Sequence, residues 1–104
     1  MDRAAVLKQV LEQNPDDAFA RYGLAMEFSR AGDVEAALQE FNTLIAKQPT
    51  YIAAYHMAGQ MLAGADRTND ACDYLKNGIA MAQTVGNSHA RAEMEALLDD
   101  ISRT

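Results

Sequence analysis

Pro15 and Pro49 stand at the same point of two successive stretches, and the chain around each keeps the same order of small and large side chains. Ala20, Leu24, Ala25, Phe28, Ala37, Phe41 and Ile45 recur, shifted by 34, as Ala54, Ala58, Gly59, Leu62, Ala71, Leu75 and Ile79. Few residues are identical, yet small falls on small and large apolar on large. A period of this length holds two helices. Neither can bury its apolar face alone, so successive units must stack, and stacking builds an extended surface.

The local signals predict six helices. Val6, Leu7, Val10 and Leu11 form an apolar stripe over Asp2 to Gln13. Asn14-Pro15-Asp16-Asp17 ends that helix, because proline cannot continue a helix interior and an aspartate beyond it can cap the next one. The second helix is expected over Ala18 to Ala31, and the third from the Gly32-Asp33 stop to about Lys47. The fourth follows Pro49 with Thr50 as its cap. The fifth follows Gly64 with Asp66 or Thr68 as its cap, and the sixth starts at Asn87 or Ser88. Gly78 interrupts the fifth helix, which predicts close approach of a neighbour. Cys72 is expected on the buried face of that helix. Met94, Leu97, Leu98 and Ile101 share one face of the sixth helix, which predicts that it covers the fourth and fifth. Ala37 and Ala71 mark the expected crossings of paired helices. The short connections make sequential helices antiparallel.

Composition narrows the function. The chain has 104 residues, 49% of them apolar, enough for one domain with a modest core. A net charge of −6 argues against nucleic-acid binding, which needs clustered lysine and arginine. The single cysteine allows no internal disulfide and fits a reducing, cytoplasmic setting. No apolar run is long enough to span a membrane, and none follows the start as a leader would require. Gly-rich phosphate loops, nucleophile elbows and paired metal-ligand motifs are missing, so neither an enzyme nor a cofactor or metal site is expected.

Leu24-Ala25, Phe28, Gly32-Asp33, Ala37, Phe41, Leu44-Ile45 and Pro49 together resemble the tetratricopeptide repeat, with Tyr55, Ala58-Gly59, Leu62, Ala71, Leu75 and Gly78-Ile79 as a second copy. Arg21 stands where that family often has tryptophan, Asp66-Arg67 replaces Gly-Asp, and Gln83 replaces the closing proline. The resemblance implies an all-α, right-handed superhelical array of antiparallel helix pairs, helix A then helix B. It divides the chain into an N-terminal half-repeat helix over 2–14, repeats over 18–51 and 52–85, and a capping helix over 87–102, all in one domain.

In that family the A helices line a concave groove that receives a peptide or a helix of a protein partner. The groove residues expected here are Tyr22, Met26, Arg30, His56 and Gln60, with Phe19 and Met94 at its margins. Tyr22 is the expected anchor, and its truncation is expected to leave folding nearly unchanged. Some members grip the terminal carboxylate of chaperone tails with lysine, asparagine and arginine. The matching positions are Tyr22, Met26, Met57, Asn87 and Arg91, of which only Arg91 agrees, so that ligand is not expected. The alternative function is a self-associating structural module, a homodimer joined through its open repeat ends at Val6 or Leu7.

Overall fold

Among its described residues, 2–103, the computed structural model contains six α-helices and no strand. They are α1 (Arg3–Gln13), α2 (Ala18–Arg30), α3 (Val34–Lys47), α4 (Ile52–Gly64), α5 (Thr68–Val85) and α6 (Ser88–Ser102). Four begin with a side-chain cap, which supplies an acceptor to an amide that has no partner within the helix. Asp2 accepts from Ala5 N–H at 2.8 Å, Asp17 from Ala20 at 3.0 Å, Asp33 from Ala36 at 3.2 Å and Asn87 from Ala90 at 3.0 Å. Asp2 therefore stands just outside α1 rather than inside it.

Two caps differ from expectation. Tyr51, not Thr50, precedes α4, and Arg67, not Asp66 or Thr68, precedes α5, and neither makes a side-chain capping bond. The turn before α5 explains the second case. Asp66 has φ 61°, in the left-handed region that Gly32 occupies at φ 82° one repeat earlier and Gly86 at φ 77° after α5. In all three turns the next amide reaches back to close the helix: Asp33 N–H to Phe28 O at 2.9 Å, Arg67 to Leu62 at 2.9 Å and Asn87 to Ala82 at 2.8 Å. This is the hydrogen-bond pattern of a helix ending on a left-handed residue. Asp66 is held in the stop position, so it cannot also serve as the start.

The helices form two compact units, residues 1–48 and 49–104. In the first, α2 packs against both α1 and α3. Leu11, Ala20 and Leu24 are buried there with Leu7, Val10 and Phe28 against them, while α3 buries Ala37, Phe41 and Leu44. Val6, placed by periodicity on the apolar stripe of α1, is instead 43% exposed. In the second unit α5 packs against both α4 and α6. Ala58, Leu62, Ala71, Leu75 and Met94 are fully buried. Gly78 sits where the neighbours come closest: a Cβ added to it would lie 2.6 Å from Tyr55 Cβ and 2.6 Å from Met94 Sδ. Gly59 plays the same part toward Leu75, at 2.7 Å. Cys72 is half-buried rather than in the core, with its Sγ 4.0 Å from Ser102 Oγ.

Each unit carries one clasp at equivalent positions. Arg21 Nη2 donates to Pro15 O at 3.1 Å, and one period later Tyr55 Oη donates to Pro49 O at 2.7 Å. Both tie the start of an A-type helix to the carbonyl of the proline that precedes it. Arg21 also reaches α3, with Nη1 2.7 Å from Glu40 Oε1, so the side chain in the family's tryptophan place joins two helices by charge rather than by a ring.

Candidate interaction surface

The residues expected to form the groove come from the two units, and each unit contributes a face of its A-type helix. On α2, Phe19, Tyr22 and Met26 recur at i, i+3 and i+7 and so share a side. Phe19 is 71% exposed, while Tyr22 and Met26 are half-buried. The Tyr22 ring meets Phe41 edge-on, with centroids 6.3 Å apart at 65°. An edge-to-face pair of this kind adds stability beyond the buried area. Tyr22 thus supports the packing of α2 on α3, and its removal is expected to cost stability as well as any contact with a partner. Arg30 is exposed and pairs with Glu27, which also has Arg3 Nε at 3.8 Å. On α4, His56 is half-buried and Gln60 exposed.

Met94 is not a groove residue. It is fully buried, with its sulfur in the hollow that Gly78 leaves beside Tyr55. Glycine at that place creates a narrow space, and an unbranched thioether fits it without strain. Met94 also belongs to the face of α6 expected to cover its neighbours, and it serves that purpose alone.

The third A-type helix is out of register with the period of 34. Asp17 and Asn87 are both side-chain N-caps of an A-type helix, and Arg21 and Arg91 each stand four residues beyond the cap. Arg91 is therefore the counterpart of Arg21. Asn87 spends its side-chain carbonyl oxygen on Ala90 N–H, so it is not presented as a carboxylate ligand. The positions expected from the period move to His89 and Glu93, which lie 3.2 Å apart. An acid there repels a carboxylate.

Sequence reasoning also missed two ion pairs made by α3, one to α2 and one to the turn between α1 and α2. One is the Arg21–Glu40 pair, legible only as an unusual residue in an aromatic place. The other is Lys47 Nζ to Asp16 Oδ1 at 2.8 Å, two residues that each lie close to a proline of the repeat. The Lys47 hydrogen bond holds the Asp16 carboxyl below its ordinary range. Burial pushes the Tyr55 phenol up. Among the described residues no three His, Cys, Asp or Glu side chains gather as metal ligands, and no helix is long and apolar enough to cross a membrane.

The sequence profile described as "Tetratricopeptide repeat" matches residues 4–63. A TPR repeat-containing protein of Pseudomonas aeruginosa is 29% identical over 97 residues, which is 93% of this chain and 92% of that protein. The solution structure of a tetratricopeptide repeat domain protein from Salinibacter ruber superposes with a TM-score of 0.77 at 31% identity, covering 85% of this chain and 89% of the other. The TPR2B domain of yeast Sti1, solved as a complex with pHsp70, superposes at 0.87 with 18% identity, covering 96% and 80%, a likeness of fold.

Proposed function

The chain belongs to the tetratricopeptide repeat family, a fold that serves protein–protein interaction, and from that premise we propose that it is a non-enzymatic module binding a peptide or helix of a protein partner on its A-helix faces. The observation that supports this reading is Phe19, an aromatic side chain 71% exposed beside Tyr22 and Met26. Aromatic and methionine side chains offer large contact area and adapt to a partner, and they dominate the energetics of interfaces. Arg30, His56 and Gln60 supply polar contacts at the edges. The ligand of the yeast Sti1 domain is not carried over. Tyr22 and Met26 replace the cationic and amide groups that a chaperone tail needs, and Glu93 stands where a cation is required.

A peptide selected from a random library against the chain provides the probe. Chemical-shift mapping is expected to place it on Phe19, Tyr22, Met26, His56 and Gln60. Phe19→Ala is expected to weaken its binding by about 1–3 kcal/mol with the melting temperature unchanged, because the ring is exposed. Shifts centred on Glu40 and Asp73 would overturn the assignment. A second reading, self-association through the repeat ends, is favoured by one observation: Val6 of α1 is 43% exposed, although its neighbours Leu7, Val10 and Leu11 are drawn into the core.

A further inference from the structure

The repeat supplies two internal templates for how an A-type and a B-type helix cross. In the second unit Gly59 of α4 meets α5, where a Cβ on it would lie 3.5 Å from Ala71 O. Ala25 and Ala37 are the equivalents one period earlier, in the first repeat, and both are fully buried. Small side chains on both helices mark the crossing.

The flanking helices carry the same two positions. Helix α1 is B-type: its C-cap Asn14 and that of α3, Gln48, are one period apart, and each N–H reaches back one turn to a carbonyl at 2.8 Å, Val10 O and Leu44 O. Its crossing position is therefore Arg3. Helix α6 is A-type, matched to α2 through the Asp17 and Asn87 caps, and its crossing position is Glu95. So where both complete repeats are small against small, the outer helices hold a cation and an anion. Both side chains are more than half exposed, and each has only a long ionic contact, Arg3 Nε to Glu27 at 3.8 Å and Glu95 to Arg91 Nε at 3.7 Å. Arg91 Nε is buried without a hydrogen-bond partner, while its counterpart Arg21 reaches Glu40 of a B-type helix. On the α5 side the cleft beside α6 presents Lys76 and Ile79, the counterparts of Lys8 and Leu11 in the α1–α2 cleft that Glu40 of α3 closes; its α6 side is Glu95 and Leu98, where the other cleft has Arg21 and Leu24 of α2.

We propose that α6 of one copy and α1 of a second copy associate head to tail as a split repeat, with Glu95 against Arg3 of the second copy and the exposed Val6 on the α5–α6 cleft. This rests on the self-association reading. Two long charged side chains at the crossing hold the helices further apart than in the internal repeats. The contact is consequently looser and screened by salt. A heterologous contact of this kind continues into rings or open chains rather than stopping at a two-fold dimer.

Sedimentation velocity on the full chain over a concentration series tests it. Wild type is expected to show mass increasing with concentration at low salt and to lose it at high salt. Arg3→Glu and Glu95→Arg are each expected to weaken association about tenfold or more, with unchanged circular dichroism. An equimolar mixture of the two variants is expected to associate again, because the reversed charge on α1 of one meets the reversed charge on α6 of the other. Association of wild type that neither variant alters overturns the split repeat but leaves self-association standing. Loss in Arg3→Glu alone overturns it in favour of an α1–α1 contact. A wild-type monomer at every concentration removes both readings and leaves peptide binding untouched.

Discussion

Arg21 and Tyr55 occupy equivalent positions, make the same bond to a proline carbonyl, and share no chemistry. Arg21 and Leu44 of α3 line one cleft, while the broad Tyr55 ring lies against Gly78, the counterpart of Leu44 one period on. Gly78→Ala gains about 1 kcal/mol of helix propensity. The new Cβ, however, lands 2.6 Å from Tyr55 Cβ, an atom fixed to the backbone, and net destabilisation of about 1–3 kcal/mol is expected in urea denaturation. Tyr55 also sets a pH dependence. Its folded-state pKa is raised by burial, so the folded form holds the phenolic proton more tightly than the unfolded one. That contribution is complete below the ordinary phenol value of 10.0 and is lost as pH rises from there through the folded value. Tyr55→Phe should cost about 0.5–1.5 kcal/mol at neutral pH and flatten the alkaline fall in melting temperature relative to wild type. Asp16 acts in the opposite sense. Its lowered pKa gives a contribution present above 3.8 and lost on acidification, and Lys47→Met should remove it.

At the scale of elements, the same stop-start turn is built three times, with Gly32, Asp66 and Gly86 in the left-handed place. A side chain there is strained, although aspartate tolerates it better than most residues. Asp66→Gly is expected to be neutral to stabilising by about 0.5 kcal/mol, since the relief of strain exceeds the extra freedom glycine gives the unfolded chain. Arg67→Asn supplies the missing cap of α5 and is expected to add about 1 kcal/mol despite losing the 3.0 Å pair with Asp70, as thermal melting would register. Helix boundaries were legible because proline, glycine and aspartate act locally. The cap of α5 was not, because which residue of that turn takes the left-handed place depends on the helix packed behind it; at α4 the helix starts one residue later than the Thr50 signal suggests. The six-helix pattern and the tight places at Ala37, Ala71 and Gly78 could be read from the period. Met94 was expected both on the covering face of α6 and at the groove margin, and its full burial agrees with the first placement alone; the register shift of α6 that decides between them shows only when the Asp17 and Asn87 caps are superposed. Among the expected surface residues, Phe19, Arg30 and Gln60 are exposed, and Tyr22, Met26 and His56 half-exposed.

For the whole molecule, the outer helices differ in what they cover. Helix α1 leaves Val6 exposed, whereas α6 seals the second unit with a fully buried side chain. Truncation after Val85 should therefore expose Gly78 and Tyr55 and make the remaining chain aggregate or melt without cooperativity. A soluble truncated chain with a sharp transition would remove the sealing role of α6. The seat of Met94 has a chemical consequence. Thioethers are oxidised by peroxide only where the reagent can reach the sulfur, and each of the other described methionines retains some solvent exposure. Met94 sulfoxide can form only in molecules whose last helix has momentarily lifted away. The product is too polar to return to the hollow beside Gly78, so each oxidised molecule keeps the record of one such opening until the sulfoxide is reduced. In an ageing or oxidatively stressed sample, the slowest-forming sulfoxide would be a clock for the breathing of α6.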